Sequence, residues 1–361
     1  MTHLWPIALV GFAISLGLTP VTRRLARRFG LLDQPGGRKA HAAPTPLLGG
    51  LAIYGAFILA LLAFPSWPQH ILELGAILAG ATWLALVGLI DDRNGLSPRT
   101  KFPAQFLAAF VVLASGITID LTHSIILNDL ITVLWIVGII NALNFLDNMD
   151  GLAAGVSAIA AAGFFLLAVS QGQELVSALS ASLCGAAIGF LIYNFNPAST
   201  FMGDMGSMVL GFVLSVVAIK LHFYSKSTVV TWMIPVLVLG LPLFDTSLVV
   251  VTRLREGRSP FVGGRDHTSH RLVSLGLSPK RAVVVLYGVC VLLGICALIV
   301  SQADVTISLW IGTLVGVIAL AAFVSLILIR QRQAATPKRV QPNTSDPLPL
   351  PYSADSPTSK H

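Results

Sequence analysis

The stretch ILELGAILAGATWLALVGLIDDRNG, residues 71–95, decides how the rest of the chain is read. It stays apolar through residue 90, then presents two adjacent carboxylates, Asp91 and Asp92, and a polar loop. A hydrocarbon layer of ~30 Å is crossed by a helix of about 20 apolar residues, so the run is long enough to span a bilayer. The acids then fall at its end, at the membrane surface.

Working outward, ten more apolar runs appear, giving eleven near residues 4–19, 47–64, 71–90, 103–119, 125–142, 152–170, 174–193, 206–221, 229–249, 282–301 and 306–329. Of the 361 residues, 55% are hydrophobic and 11% charged, a balance that no water-soluble surface tolerates. Runs of this length are helices; barrel strands are about ten residues long with alternating polarity. The expected fold is all-α, a polytopic integral membrane protein of about eleven transmembrane helices in one domain, 1–330. The Pro-, Ser- and Thr-rich segment 331–361 is expected to be a disordered tail. Pro235 and Pro242 interrupt the ninth run and predict a kinked or broken helix there.

Orientation follows from the basic residues, which favour cytoplasmic loops. With eleven spans and the amino terminus outside, every Lys and Arg except Lys220 and Lys226 falls on the inner side. The first run is followed by Arg23, Arg24, Arg27 and Arg28 instead of being preceded by them, so it reads as an uncleaved span and not as a signal peptide. The net charge of +7 therefore favours anionic headgroups or substrates at the inner leaflet. Nucleic acid is not expected, because no basic loop is interleaved with stacking aromatics. The three cysteines lie within apolar runs without metal-type spacing and read as packing residues.

The acids collect at one face. Asp91 and Asp92 end the third span, Asp147 and Asp150 lie in NALNFLDNMDG (141–151) after the fifth, and Asp204 lies in NFNPASTFMGDMGS (194–207) after the seventh. Taken singly, each has a structural reading: a solvated helix end for Asp91 and Asp92, an N-cap for Asp147 or Asp150, a favourable helix-dipole charge for Asp204. Taken together they read as a site, since charges near lipid are costly. The loops 143–151 and 194–205 hold no basic residue, and a divalent cation would supply their counter-charge. Carboxylates and Asn carbonyls suit Mg²⁺ or Mn²⁺, and Mg²⁺ completes its octahedron with phosphate oxygens. Gly203 and Gly206 let backbone N–H groups approach an anion at a helix start. Arg265, Arg271, His267 and His270 in RLREGRSPFVGGRDHTSHRLVSLG (253–276), with Arg38, Lys39 and His41 in DQPGGRKAHAAPTPLLGG (33–50), read as phosphate-binding cations, and Lys101 adds another near the acids.

DQPGGRKAHAAPTPLLGG, GLIDDRNGLSPRTK, NALNFLDNMDGLAAG, FMGDMGS and GRDHTSHRL occur in order across residues 33 to 275. In these motifs the chain resembles the polyprenyl-phosphate N-acetylhexosamine-1-phosphate transferases, above all the bacterial undecaprenyl-phosphate GlcNAc-1-phosphate branch. The resemblance implies Asn144 and Asp204 at Mg²⁺, Asp91 and Asp92 beside the reacting phosphates, and Lys101 and Asp150 at the diphosphate, with Asp147 a further acid of that loop. It places His267 and His270 near the nucleotide-sugar, although DHTSHR departs from the more compact HxHH, and Arg265 beside them. The implied reaction joins GlcNAc-1-phosphate from UDP-GlcNAc to undecaprenyl phosphate and releases UMP, an early membrane step in cell-envelope polysaccharide synthesis. Localisation in the bacterial cytoplasmic membrane with the site on the cytoplasmic face is implied as well; a homodimer is left open. The competing readings are the phospho-MurNAc-pentapeptide transferase within the family and a polytopic ion or metabolite transporter outside it. A transporter places its acids at mid-span, and no internal repeat is evident.

Overall fold

The computed structural model describes residues 4–34, 44–64, 68–223 and 226–335. Arg38, Lys39, His41 and the tail from 336 onward lie outside the described residues. Helices dominate: α1 (Trp5–Phe29), α2 (Gly49–Leu62), α3 (Ile71–Asn94), α4 (Pro98–Ala114), α5 (Ile125–Leu146), α6 (Leu152–Ser170) and α7 (Glu174–Asn194). They continue with α8 (Gly203–Lys220), α9 (Thr228–Val238), α10 (Gly240–Arg255), α11 (Thr268–Ser274), α12 (Pro279–Gln302) and α13 (Val305–Ala335). A two-residue antiparallel ladder, β1 (Leu32–Asp33) with β2 (Thr45–Pro46), leads into α2.

All eleven apolar runs are helical, the ninth as a bent pair. Among the described residues, eight helices are long and apolar enough to cross a membrane, and α9 with α10, bent by 77°, makes a ninth. The other two runs form shorter helices: α2 has 14 residues, about 21 Å of helix, and the 17-residue α4 begins with the polar turn Pro98–Lys101. The break between α9 and α10 falls at Leu239, between the two prolines. At the carboxyl end α13 continues to Ala335.

α8 is the central post. From Met205 to Ile219 every residue is buried, with α3 and α5 packed on two sides. Lipid offers no hydrophobic driving force for helix association, so close packing of small residues must supply it. Gly88 shows this locally: a Cβ there would run into the backbone of Asp204 and Met205. That approach brings the carboxyl end of α3 against the amino end of α8. At the other extreme α13 exposes Trp310, Leu314, Val317 and Leu320, a surface suited to acyl chains and not to water.

Candidate active site

Four helices deliver the central groups. Asp91, at the end of α3, is 6% exposed; its Oδ1 accepts the N–H of Leu96 at 2.5 Å. Its Oδ2 takes no other hydrogen bond but forms an ion pair with Lys101 of α4. The same ammonium pairs with Asp204 of α8. Asp204 Oδ1 also accepts from Asn144 Nδ2 of α5 at 2.8 Å, and that amide nitrogen donates to Ser207 Oγ at 2.9 Å. Residues 60 and 103 positions apart from Asp204 therefore meet on one carboxylate. The counter-charge that the basic-free loop 194–205 lacks comes from Lys101 of α4.

Asp92 points the other way. Its carboxylate accepts the backbone N–H groups of Asp204 at 2.7 Å and Met205 at 3.2 Å. These are orphan donors of the first turn of α8, which an anion at a helix start satisfies. Gly203, with φ of 69°, leaves room for it, because a Cβ there would overlap the Asp92 carboxylate. The adjacent acids thus split: Asp91 faces the cation, and Asp92 fastens α8 to α3.

Asp150 likewise serves two loops. Its Oδ2 accepts from Asn196 Nδ2 and from the Ala198 N–H, both at 3.0 Å, which joins loop 147–151 to loop 195–202. Gly151 caps α6 without a side-chain bond, so neither Asp147 nor Asp150 is its N-cap. The Asp147 carboxylate has no hydrogen-bond or ion-pair partner among the described residues, while its backbone N–H closes the last turn of α5. Burial, then the charges of Asp204 and Asp150, push its carboxyl up to about 7, as expected of an acid whose neighbours repel its ionised form.

The segment 256–274 closes the site from the far side. His267 caps α11, with Nδ1 2.8 Å from Asp245 Oδ2. Ser269 Oγ donates to Asn148 Oδ1 at 2.6 Å, tying α11 to the acidic loop. His270 stands 6.1 Å from His267, ring to ring; burial and the charges of His267 and Arg265 lower its pKa. Arg271 is 6% exposed, and its guanidinium donates to Asp266 O, Leu326 O and Thr252 Oγ1 at 2.7–2.8 Å. Every nitrogen of Arg271 is therefore engaged in holding the fold. Asp266 accepts from Arg253 at 2.9 Å and Arg258 at 3.0 Å and pairs with Arg330 of α13 at 2.5 Å. Against the opposing effect of burial, these guanidiniums hold its carboxyl well below the usual range. Asp245 and Arg330 escaped the sequence reading. The one local signal was Asp245 between prolines and a basic helix end, a mid-run acid of the kind that is costly in a membrane.

Among the described residues no three His, Cys, Asp or Glu side chains are arranged to hold a metal ion. A hard ion that binds phosphate requires less from the protein, one or two carboxylates with the remaining positions filled by substrate and water. Asp91 and Asp204 converging on one ammonium, with the Asn144 amide alongside, is a donor set of that kind.

Fold and site define a polytopic membrane protein whose acids, amides and one lysine gather at a single end of the bundle. The profile of glycosyl transferase family 4 matches residues 74–222. The chain is 36% identical over 315 residues to the probable undecaprenyl-phosphate N-acetylglucosaminyl 1-phosphate transferase of Bacillus subtilis, covering 84% of this chain and 87% of that protein. It is 35% identical to the decaprenyl-phosphate N-acetylglucosaminephosphotransferase of Mycolicibacterium smegmatis, covering 78% and 79%. To the phospho-N-acetylmuramoyl-pentapeptide-transferase of Bacillus cytotoxicus it is 31% identical, covering 81% and 96%. The chain belongs to glycosyl transferase family 4.

Proposed function

We infer that this protein transfers GlcNAc-1-phosphate from UDP-GlcNAc to undecaprenyl phosphate. The observation that carries the reading is the meeting of Asp91, Lys101, Asn144 and Asp204 at one end of the bundle. Relatives named for GlcNAc-1-phosphate transfer to polyprenyl phosphates support the donor.

In the reaction an acceptor phosphate oxygen bonds to the β-phosphorus of UDP-GlcNAc, the bond to the bridging oxygen breaks, and UMP leaves. Both reactants are anions, so charge neutralisation and alignment dominate. Asp204 and the Asn144 carbonyl are the residues that would hold Mg²⁺, with Mn²⁺ as the alternative, and the ion supplies charge neutralisation at the diphosphate. Lys101, drawn off the carboxylates, neutralises phosphate oxygens. Asp91 orients the acceptor and takes any residual proton; a phosphomonoester with a second pKa of about 6 is already largely ionised, so direct attack suffices. Asp92 and Asp150 set the positions of α8 and the loops, and Asp147 adds acid character beside Asp204. Arg265, His267 and His270 receive the nucleotide-sugar, and Arg271 keeps their segment in place. Arg38, Lys39 and His41 contribute further phosphate contacts. The site faces the cytoplasm of a bacterial inner membrane with the amino terminus outside, as the distribution of basic residues supports.

The test is UMP release by purified protein. UDP-GlcNAc and UDP-MurNAc-pentapeptide are each paired with undecaprenyl or decaprenyl phosphate, with and without Mg²⁺. The expected result is Mg²⁺-dependent release with UDP-GlcNAc and undecaprenyl phosphate. Release with the muramyl nucleotide alone would reassign the donor, and solute uptake by vesicles without UMP release would reject the enzyme.

A further inference from the structure

Asp245 lies in the second turn of α10, just past the 77° bend, and is 1% exposed. Both of its oxygens are committed to the start of α11: Oδ2 lies 2.8 Å from His267 Nδ1, and Oδ1 accepts the Thr268 N–H at 2.6 Å. One carboxylate thus satisfies an orphan donor of α11 and grips the imidazole of its N-cap residue. Phe145, next to Asn144, meets the His267 ring edge to face at 6.3 Å, and Arg253 lies over the Phe145 ring. His267 Nε2 has no hydrogen-bond partner among the described residues.

We propose that Asp245 is a positioning residue that holds His267 through its Nδ1–H and so aims an Nε2–H at a phosphate oxygen of the nucleotide-sugar. The proposal rests on the reaction given above. A carboxylic acid is more acidic than an imidazolium by over two units, so the shared proton stays on Nδ1. The carboxylate also steadies the ring when Nε2 carries a proton as well, the form that donates to an anion. The charged and titratable groups around the ring are Asp245 on α10, His270 on α11, Arg265 and Asp266 in the preceding loop, and Arg253 behind Phe145.

The tautomer is read from ¹⁵N spectra of histidine-labelled full-length protein in nanodiscs, assigned with His267→Ala. A protonated His267 Nδ1 is expected; an unprotonated one overturns the proposal. In Asp245→Asn the amide oxygen keeps the Thr268 N–H, so the NH₂ group faces Nδ1, which must then accept, and the ring can donate from Nε2 only as a neutral imidazole without the supporting carboxylate. The turnover number should fall about 10-fold, the scale of a weakened charge-assisted hydrogen bond, with half-saturation by Mg²⁺ unchanged. In a His267→Ala background the same change should cost less than about twofold, since residues that act as one unit are not additive. An equal loss in both backgrounds would mean that Asp245 acts on the fold and not through His267. If Asp245→Asn fails to fold, the wild-type spectrum decides alone. Absence of UMP release by the wild type sinks the reaction and leaves the tautomer result standing.

Discussion

The two halves of the site are held by different physics. The acid cluster sits on the ends of α3, α5 and α8, which are pinned by backbone close approach, as at Gly88, and by Asp92 on the first turn of α8. The 256–274 segment packs around a charge network, with Asp266 among Arg253, Arg258 and Arg330 and with Arg271 reaching across to α13. Packing between small residues tolerates almost no displacement. A charge network with partly exposed members loses one contact at a time. The first half should therefore fail abruptly and the second by degrees.

The largest effect belongs to the cation pair. Asp204→Ala should lower the turnover number about a thousandfold, the scale of a lost electrostatic stabiliser, and raise the Mg²⁺ concentration needed for half-maximal UMP release; normal half-saturation would remove Asp204 from the metal. Next comes Gly88→Val, whose side chain meets the backbone of α8. It should cost about 1–3 kcal/mol of stability and most of the activity, read as a lower melting temperature in detergent together with reduced UMP release. A fully active, equally stable variant would show that the two helix ends have slack.

Arg330→Ala should be milder. Arg253 and Arg258 still pair with Asp266, so a loss of ~1 kcal/mol is expected, seen as about a fivefold rise in KM for UDP-GlcNAc with Mg²⁺ dependence unaltered. An altered Mg²⁺ dependence would merge the two halves into one unit. The pH prediction concerns Asp147. Its carboxyl is raised from 3.8 to about 7, so the folded state holds the proton more tightly than the unfolded chain. Without divalent cation, stability should therefore fall as pH rises across that window and level off above it. Asp147→Asn should flatten the slope, and a melting profile identical to wild type would show that the acid is not strained. Ending the chain after Arg332 should change neither stability nor UMP release, because the described contacts of α13 with the site run through Leu326 and Arg330. A loss of activity there would give the tail a role.

Sequence reading reached far on the first half. Run lengths, the proline break and the placement of acids at span ends are local, and helical period and hydropathy make them legible. It assigned Asp91 and Asp92 a joint role, yet the structure separates them, because successive residues on a helix point about 100° apart and only α8 behind Asp92 offers free N–H groups. An apolar run shows that a segment avoids water and leaves helix length open, which is why α2 and α4 each end before their run does.

Composition and periodicity alone determined that this is a helical membrane protein with a polar, acid-rich face, because burial in lipid dictates residue type position by position. Which side chains meet there was decided by tertiary structure. Lys101 reaches Asp204 across 103 positions, Asp245 reaches His267 around a bent helix, and Arg330 returns from the last helix to Asp266. Such pairings depend on how helices pack, and small residues set that packing at contacts that leave no trace in local pattern.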